Sequence, residues 1–503
     1  MKRRHYTIPK DNEGIIFEPA LQKYNQLIEA NQKLRHSVSM FDAPLVDLVK
    51  EARVPLLKLA NEYTKSTHQS GKYAISQVQN SPILGTGHQP IMFHPGICIK
   101  NFVMAKVAKD TGAIPILFTV DSAEFAAETV PLPVANSDLS RFDYYLFPQR
   151  SRVTYESAEV EPADILWDRL KTIERFFFSN GLEEIDKNYK DFLGRLSNHE
   201  LDASTFAKRV SIMRRAWEES AEIEYLEVPI SMLCRSGIFI QFFFDAVFRA
   251  KNLAEIYNSE LVDYREKNKI RYPSNPVPDL EIKPNKIELP FWIIFDKKRY
   301  KPYATEDGKV LIEDMGKISL SSLEIGMYSI RPRAITLSIY LRLFLSDFFI
   351  HGVGGANYDI ITDMIVKRFY GFDAPVYGCV SATVFLDIDM EDPTNEIKLT
   401  NNILRKLEQH PEKSGLGGVE MDKMTSEKKR LILEIESENA NKKLLGSKIA
   451  EINKKMVALL EPERLRVETE IGRLMRRGDD WKVVAARDYP YFLYSPEQIL
   501  RLI

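Results

Sequence analysis

The chain has 503 residues, with 69 Lys and Arg against 71 Asp and Glu, for a formal net charge of -2. Its composition, 44% hydrophobic and 28% charged, is that of a globular protein and excludes a disordered, collagenous or mucin-like chain. Near-neutral charge argues against nucleic acid or an anionic membrane as the main partner. Cys98, Cys234 and Cys379 lie far apart with no Cys-x-x-Cys pair. That spacing argues against a disulfide framework or a thiolate zinc site, and no metal is expected. Reduced thiols fit a cytoplasmic protein. The basic opening has no apolar stretch behind it, so it does not read as a secretory signal. The apolar residues 230–248 contain Arg235 and Asp245, and 334–350 contain Arg342 and Asp347. Both stretches therefore read as buried core helices, not membrane spans.

In chain order, residues 1–80 read as an N-terminal helical region, from the spacing of Leu21, Tyr24, Leu27 and Ile28 and of Leu45, Leu48 and Val49. From residue 81 a short strand runs into a glycine turn, Gly85-Thr86-Gly87. A helix over about Cys98 to Asp110 follows, closed by Gly112, and then the apolar strand Ile114 to Val120. Strand, helix and buried strand make a βαβ unit and predict a parallel sheet. A second unit begins at Phe348 to His351. It continues through Gly352-Val353-Gly354-Gly355 and a helix from Tyr358 to Phe369, and resumes as a strand at Pro375. The predicted fold is therefore α/β. A Rossmann-like parallel-sheet core spans 81–387, with helical and β-hairpin insertions at about 150–330. The hairpin is expected from Phe291 to Asp314, turning at Asp307-Gly308, after a loop containing Pro273, Pro276, Pro278, Pro284 and Pro290.

Residues 388–503 read as a C-terminal helical and coiled-coil region. A 4-3 spacing runs from Met424 through Lys428, Leu431, Ile435, Glu438, Lys442, Leu445, Ile449, Ile452 and Met456 to Leu459. It predicts a homodimer through the seam from Met424 to Leu459; the alternative is packing within one chain. Pro462 is expected to break the seam, and a shorter helix to run from Glu463 to Arg477, closed by Gly478. The aromatic tail after Tyr489 is dense enough to dock on the body.

Three clusters carry candidate chemistry. The first is Gly85, Gly87, His88 and Gln89, with His94, Gly96 and Lys100 behind them. Glycines allow close approach of a ligand, and the start of the next helix favours an anion. The alternative is a strand-to-helix turn whose histidines cap backbone groups. The second is Asp121 and Glu124 past a strand end, suited to a ribose hydroxyl, an amine or base catalysis, or else to capping a loop. The third is Gly352, Gly354 and Gly355 with Asn357 and Asp359, a candidate phosphate or carboxylate cradle that lacks both the dinucleotide fingerprint and the Walker lysine. Arg331 and Arg333 precede it, and a solvated pair is their commoner fate. Cys98 lies near a helix start, where a thiol pKa can fall, although an ordinary buried cysteine is the alternative.

These blocks resemble the bacillithiol biosynthesis cysteine-adding enzymes. GHQPIMFHPG, a helix and then FTVDSAEF are similar to the family's first motif. HGVGGANYD and the later Val380-Ser381-Ala382-Thr383 are similar to its second. His88 stands where the family has a glutamine, Ala123 where it has a histidine, and Asp359 where it has its later acid. The resemblance implies a small-molecule ligase in which the amine of glucosaminyl malate attacks an activated cysteine carboxyl, with ATP or another nucleotide as cofactor. On this reading His88, His94, Asp121 and Glu124 are catalytic. Gly85, Gly87, Gln89, Gly96, Lys100, Gly352, Gly354, Gly355, Asn357 and Asp359 bind substrate or nucleotide. The alternatives are a non-catalytic or regulatory ligand-binding protein, or a ligase or transferase for another amine and acid.

Overall fold

The computed structural model describes residues 5–503 apart from 69–72, 75, 78–80, 126–127, 149–151, 179–181, 273, 275, 313–314, 319–327 and 437–440. Four sequence expectations touch residues outside that set: the first four residues, Pro273, Asp314 and Glu438.

A six-stranded sheet organises the larger of two compact units, which comprises 1–132, 143–386 and 487–503. Its strands are β1 (Ile15–Glu18), β2 (Ile83–His88), β3 (Ile114–Thr119), β4 (Leu226–Pro229), β5 (Phe348–His351) and β6 (Gly378–Ala382). They lie in the order β1-β6-β5-β2-β3-β4. Five are parallel, and β1 adds an antiparallel edge on β6. The fold is thus mixed α/β with a mostly parallel sheet.

The interior strand β3 is buried along its whole length, which is why it reads as a nearly continuous apolar run. Ile114, Ile116 and Phe118 face a core shared with helix α2 (Leu45–Thr67). The other face meets helix α3 (Pro95–Thr111), which also packs on β2 and β6. Gly112, with φ of 67°, takes the left-handed conformation that ends α3. Helix α4 (Val353–Tyr370) links β5 to β6, so the two βαβ readings hold. At the amino ends of β2 and β5, Asp347 pairs with Arg53 (2.8 Å) and with Arg35 of helix α1 (Tyr24–Ser37), and accepts from Ile83 N (2.7 Å). This cluster ties two helices to two strands at the end of the sheet opposite the carboxyl ends.

Several expected elements differ. The contacts divide the chain into two units, not three regions. Residues 1–80 belong to the larger unit, and β1 lies among them. Residues 487–503 also join that unit: Tyr491 N donates to Phe93 O (3.0 Å), and Trp217 Nε1 to Tyr494 O (2.8 Å). The expected single hairpin is two. Asp296 and Lys297 make the first turn with positive φ, and Pro302–Thr305 pairs with Val310–Ile312 around the expected second turn.

The smaller unit comprises 133–142 and 387–486. Its helices are α5 (Thr394–Gln409), α6 (Gly418–Ile435), α7 (Lys442–Leu459) and α8 (Glu461–Val484). The 4-3 seam is not one helix. It is divided between α6 and α7, and its Leu431, Leu445, Ile452 and Met456 meet in one buried cluster. Pro462 sits in the first turn of α8, where its missing N–H costs nothing. Gly478 does not close that helix: it lies inside it, close to Ile397. Among the described residues, no helix is long and apolar enough to cross a membrane.

Candidate functional site

Chain order along the sheet reverses between β2 and β5. β3 and β4 extend one side of β2, while β5 and β6 extend the other. At such a switch point the connections diverge and leave a crevice beyond the carboxyl ends of the strands. A cavity of about 340 Å³ opens there. Its floor is Gly87, His88 and Gln89 after β2, Val120, Ser122 and Ala123 after β3, and Phe349 and His351 of β5. Tyr358 of α4 closes one side. The roof is Trp292, Arg299, Pro332 and Arg333 with one face of the helix after them (Ala334, Leu337, Ser338, Leu341), from the insertion between β4 and β5. Among the described residues no Asp or Glu lines it.

Of the candidate residues, His88 belongs to this cavity. Its Nδ1 lies 3.2 Å from Gln89 O, an acceptor, so Nδ1 carries the proton and Nε2 keeps its lone pair. Burial, reinforced by the Lys100 charge, pushes the imidazole down to about 3, so it is neutral. His94 is separate. It is buried and caps α3, accepting from Gly96 N at Nδ1 (3.0 Å), with Nε2 3.0 Å from Val384 O. Both ring nitrogens are therefore engaged, and the capping alternative describes this residue. The N-terminus of α3 is occupied by that cap, not open to an anion.

Gly85 and Gly87 lie in the strand, not in a turn, and Gly96 lies in the first turn of α3. A Cβ on Gly85 would fall 2.3 Å from Ser346 Oγ and 2.9 Å from Phe118 Cε2. One on Gly96 would fall 1.9 Å from Ala382 O. Both positions permit close packing inside the fold. Gly87 lines the cavity, and its carbonyl accepts from Lys100 Nζ (2.9 Å). Lys100 is buried beneath that strand, and burial pushes its ammonium down to about 8.

Asp121 is not in the cavity. It accepts from Ser231 N (3.0 Å) and Ser231 Oγ, capping the chain after β4. Burial, with Glu156 adding to it, raises its carboxyl to about 6. Glu124 is exposed and stands 3.5 Å from Arg299 and 3.7 Å from Arg152. In the third cluster there is no glycine cradle, because α4 begins directly after Gly352. Gly354 faces open space. A Cβ on Gly355 would meet His351 Nδ1 at 2.9 Å, so this glycine makes room for the ring. Asn357 is committed to the N-terminal segment, exchanging two hydrogen bonds with the Tyr6 backbone. Asp359 is buried and paired with Arg342 (2.5 Å). Burial opposes its charge, but Arg342 and His351 outweigh that and hold the carboxyl well below its ordinary value.

His351, Trp292 and Arg299 were absent from the candidate list. His351 Nε2 stands 2.9 Å from Asp359 Oδ2. The two atoms meet by proximity, without hydrogen-bond geometry. Burial lowers the imidazole further than Asp359 raises it, so it too is neutral. The two arginines are not solvated. Arg331 makes a buried two-pronged pair with Glu156, and Arg333, in the cavity roof, pairs with Glu288 (2.8 Å). All three cysteines are buried and free, and burial raises the Cys98 thiol instead of activating it. Among the described residues no group of three or more His, Cys, Asp or Glu is placed to hold a metal ion.

The arrangement therefore offers two neutral imidazoles able to accept a proton, two guanidinium groups and an open cleft whose volume falls within the small-molecule range of about 300–1,000 Å³. In comparisons with known proteins, no protein-family model matches the chain and no curated protein matches it. The geometry is thus the basis for a functional reading.

Proposed function

We propose that the chain is a cytoplasmic small-molecule ligase on a Rossmann-like core, forming a carbon–nitrogen bond as the cysteine-adding enzymes of bacillithiol biosynthesis do. The observation that carries this reading is the cavity at the switch point, which brings His88 and His351 under two arginines with no carboxylate lining it among the described residues. Counted from β2, the parallel strands follow the doubly wound order 3-2-1-4-5, the framework on which nucleotides bind at this crevice. The lining fits an anionic cofactor such as ATP, since Arg333 Nη2 is buried without an acceptor. A bound nucleotide would supply activation of the acid. The chain's own residues would orient the substrates and take the amine proton at His88 Nε2 or on the neutral His351 ring.

The test is mass spectrometry of the purified chain with ATP, magnesium, cysteine and glucosaminyl malate. A product in amide linkage, lost in His88→Ala, is expected. No product beside an active control enzyme refutes this substrate pair.

A second reading, a regulatory binding protein without turnover, is favoured by the commitment of His94, Asp121 and Asn357 to the fold. Nucleotide that raises the melting temperature without any product would support it. A homodimer through Met424 to Leu459 is a separate proposal. With the seam packed within the chain, it would use the exposed Ile432, Leu433 and Leu444. Sedimentation of the full chain as a monomer across micromolar concentrations removes it.

A further inference from the structure

The roof of the cavity is a three-stranded sheet of Phe291–Phe295, Lys298–Tyr300 and Ser329–Pro332. Ile294 stands opposite Arg299, so Trp292 and Arg299 are diagonal neighbours on one face. The Arg299 guanidinium carbon lies 4.7 Å from the Trp292 ring centre. Arg333 comes one residue after the third strand, and its guanidinium carbon lies 4.0 Å from the same ring. Two like charges thus share one indole beside a cavity that, among the described residues, no carboxylate lines.

The charges are only partly balanced. Glu288 takes Arg333 Nη1, Phe291 O accepts from its Nε (2.9 Å), and Nη2 has no acceptor although the side chain is only 10% exposed. Glu124, the carboxylate nearest Arg299, is 3.5 Å away and shared with Arg152. Holding two guanidiniums together costs repulsion, and a buried donor without an acceptor costs desolvation. A ligand anion relieves both. Stacking on the indole holds each planar fork in orientation, which suits two-pronged recognition of a carboxylate or phosphate.

We propose that Arg299, Trp292 and Arg333 form an anion clamp. It takes the carboxylate or phosphate of a small organic substrate and leaves that substrate's neutral polar end toward His88 and His351. The clamp rests on the reading of the cavity as the ligand site, and it adds the polarity with which the substrate enters.

The test is a titration of the full chain with two separate probes, L-malate for a carboxylate and inorganic pyrophosphate for a phosphate, read by tryptophan fluorescence and by calorimetry. Saturable binding of at least one is expected, and the stronger probe identifies the source of the anion. Arg299→Ala should weaken it about 10- to 100-fold, the loss of a charge-assisted pair. Arg333→Lys keeps a cation near Glu288 and should also weaken binding, because an ammonium lacks the fork. Trp292→Phe should remove the fluorescence change. If neither probe binds the wild-type chain, or if folded Arg299→Ala and Arg333→Lys both bind as tightly, the clamp is wrong. Amide product formed by Arg299→Ala with unchanged KM sinks the clamp and spares the ligase. Anion binding that Arg299→Ala loses, with no amide product from the wild type, spares the clamp and sinks the ligase.

Discussion

His88 and His94 look like one pair in the sequence, and replacing each with alanine separates their roles. His94→Ala removes the cap on α3, leaving Gly96 N without its acceptor, and strips Val384 O of its buried partner. Loss of a cap costs about 1 kcal/mol. A buried carbonyl left unpaired costs about 1–3 kcal/mol. The Tyr494 ring that meets His94 edge-on also loses contact. A total loss of about 2–4 kcal/mol is expected. His88 has one 3.2 Å hydrogen bond to its neighbour's carbonyl and a ring contact with Phe93. Its replacement should cost less than about 1 kcal/mol. Urea unfolding followed by circular dichroism measures both, since a stability change moves the midpoint. The two variants should diverge: His94→Ala unfolds earlier with the cavity chemistry intact in the folded fraction, while His88→Ala unfolds normally and loses turnover or ligand binding. A His94→Ala protein of wild-type stability that has lost activity would refute this division.

Gly96→Ala forces a Cβ onto the Ala382 carbonyl and should yield little folded protein, whereas Gly354→Ala, in open space in the first turn of α4, should be neutral or stabilising by up to about 1 kcal/mol; thermal melts compare the two, and lost ligand binding in a stable Gly354→Ala would restore the cradle reading. Burial raises the Glu128 carboxyl to about 8, above its unfolded value, so the fold holds a proton there that the unfolded chain releases. Its stabilisation is complete below about pH 4.5 and is lost at about 1.4 kcal/mol per pH unit until the folded group ionises near pH 8. Glu128→Gln should remove that slope; an unchanged pH profile of stability counts against a protonated Glu128. Burial drives His94 down to about 4, so its stabilisation is present above about pH 6.5 and is lost as the pH falls through 4, and the His94→Ala variant should lose less stability over that acid range than the wild type. Asp359→Asn leaves Arg342 buried with Asp363 alone as carboxylate partner and should cost about 3 kcal/mol by urea unfolding.

The parallel core was legible because burial on both faces leaves a plain trace. Ile114 to Phe118 is apolar throughout, and a glycine closes the helix before it. The edge strand β1 and the outer strand β4 were not. Each is four residues long, and β4 carries Glu227, whose charge is satisfied by Arg214, Thr119 and Ser211 from distant parts of the chain. Glycine spacing misled for a similar reason. Gly85 is required by Phe118 and Phe349 on neighbouring strands, and nothing local distinguishes that need from a ligand's. Of the paired histidines, the one whose partners are a donor N–H in its own helix turn and a carbonyl 290 residues away became structural. The cavity roof comes from an insertion about 200 residues beyond His88, so no local motif joins the two. The seam was read correctly as apolar spacing, but spacing does not tell whether the matching face belongs to the same chain.

The larger unit is discontinuous along the chain: it is left at Leu386 and rejoined at Arg487. Synthesis therefore imposes an order on folding. β1 leaves the ribosome early but waits for Cys379 to Ala382 before it has a strand to pair with. Phe93 and Trp217 keep open backbone and ring partners until Tyr491 and Tyr494 follow. Contacts closed over such separations are slow to form, and the waiting surfaces are sticky. A chain stalled within 387–486 would thus display an unfinished sheet edge and an uncovered aromatic core, the features that chaperones bind and proteases cut.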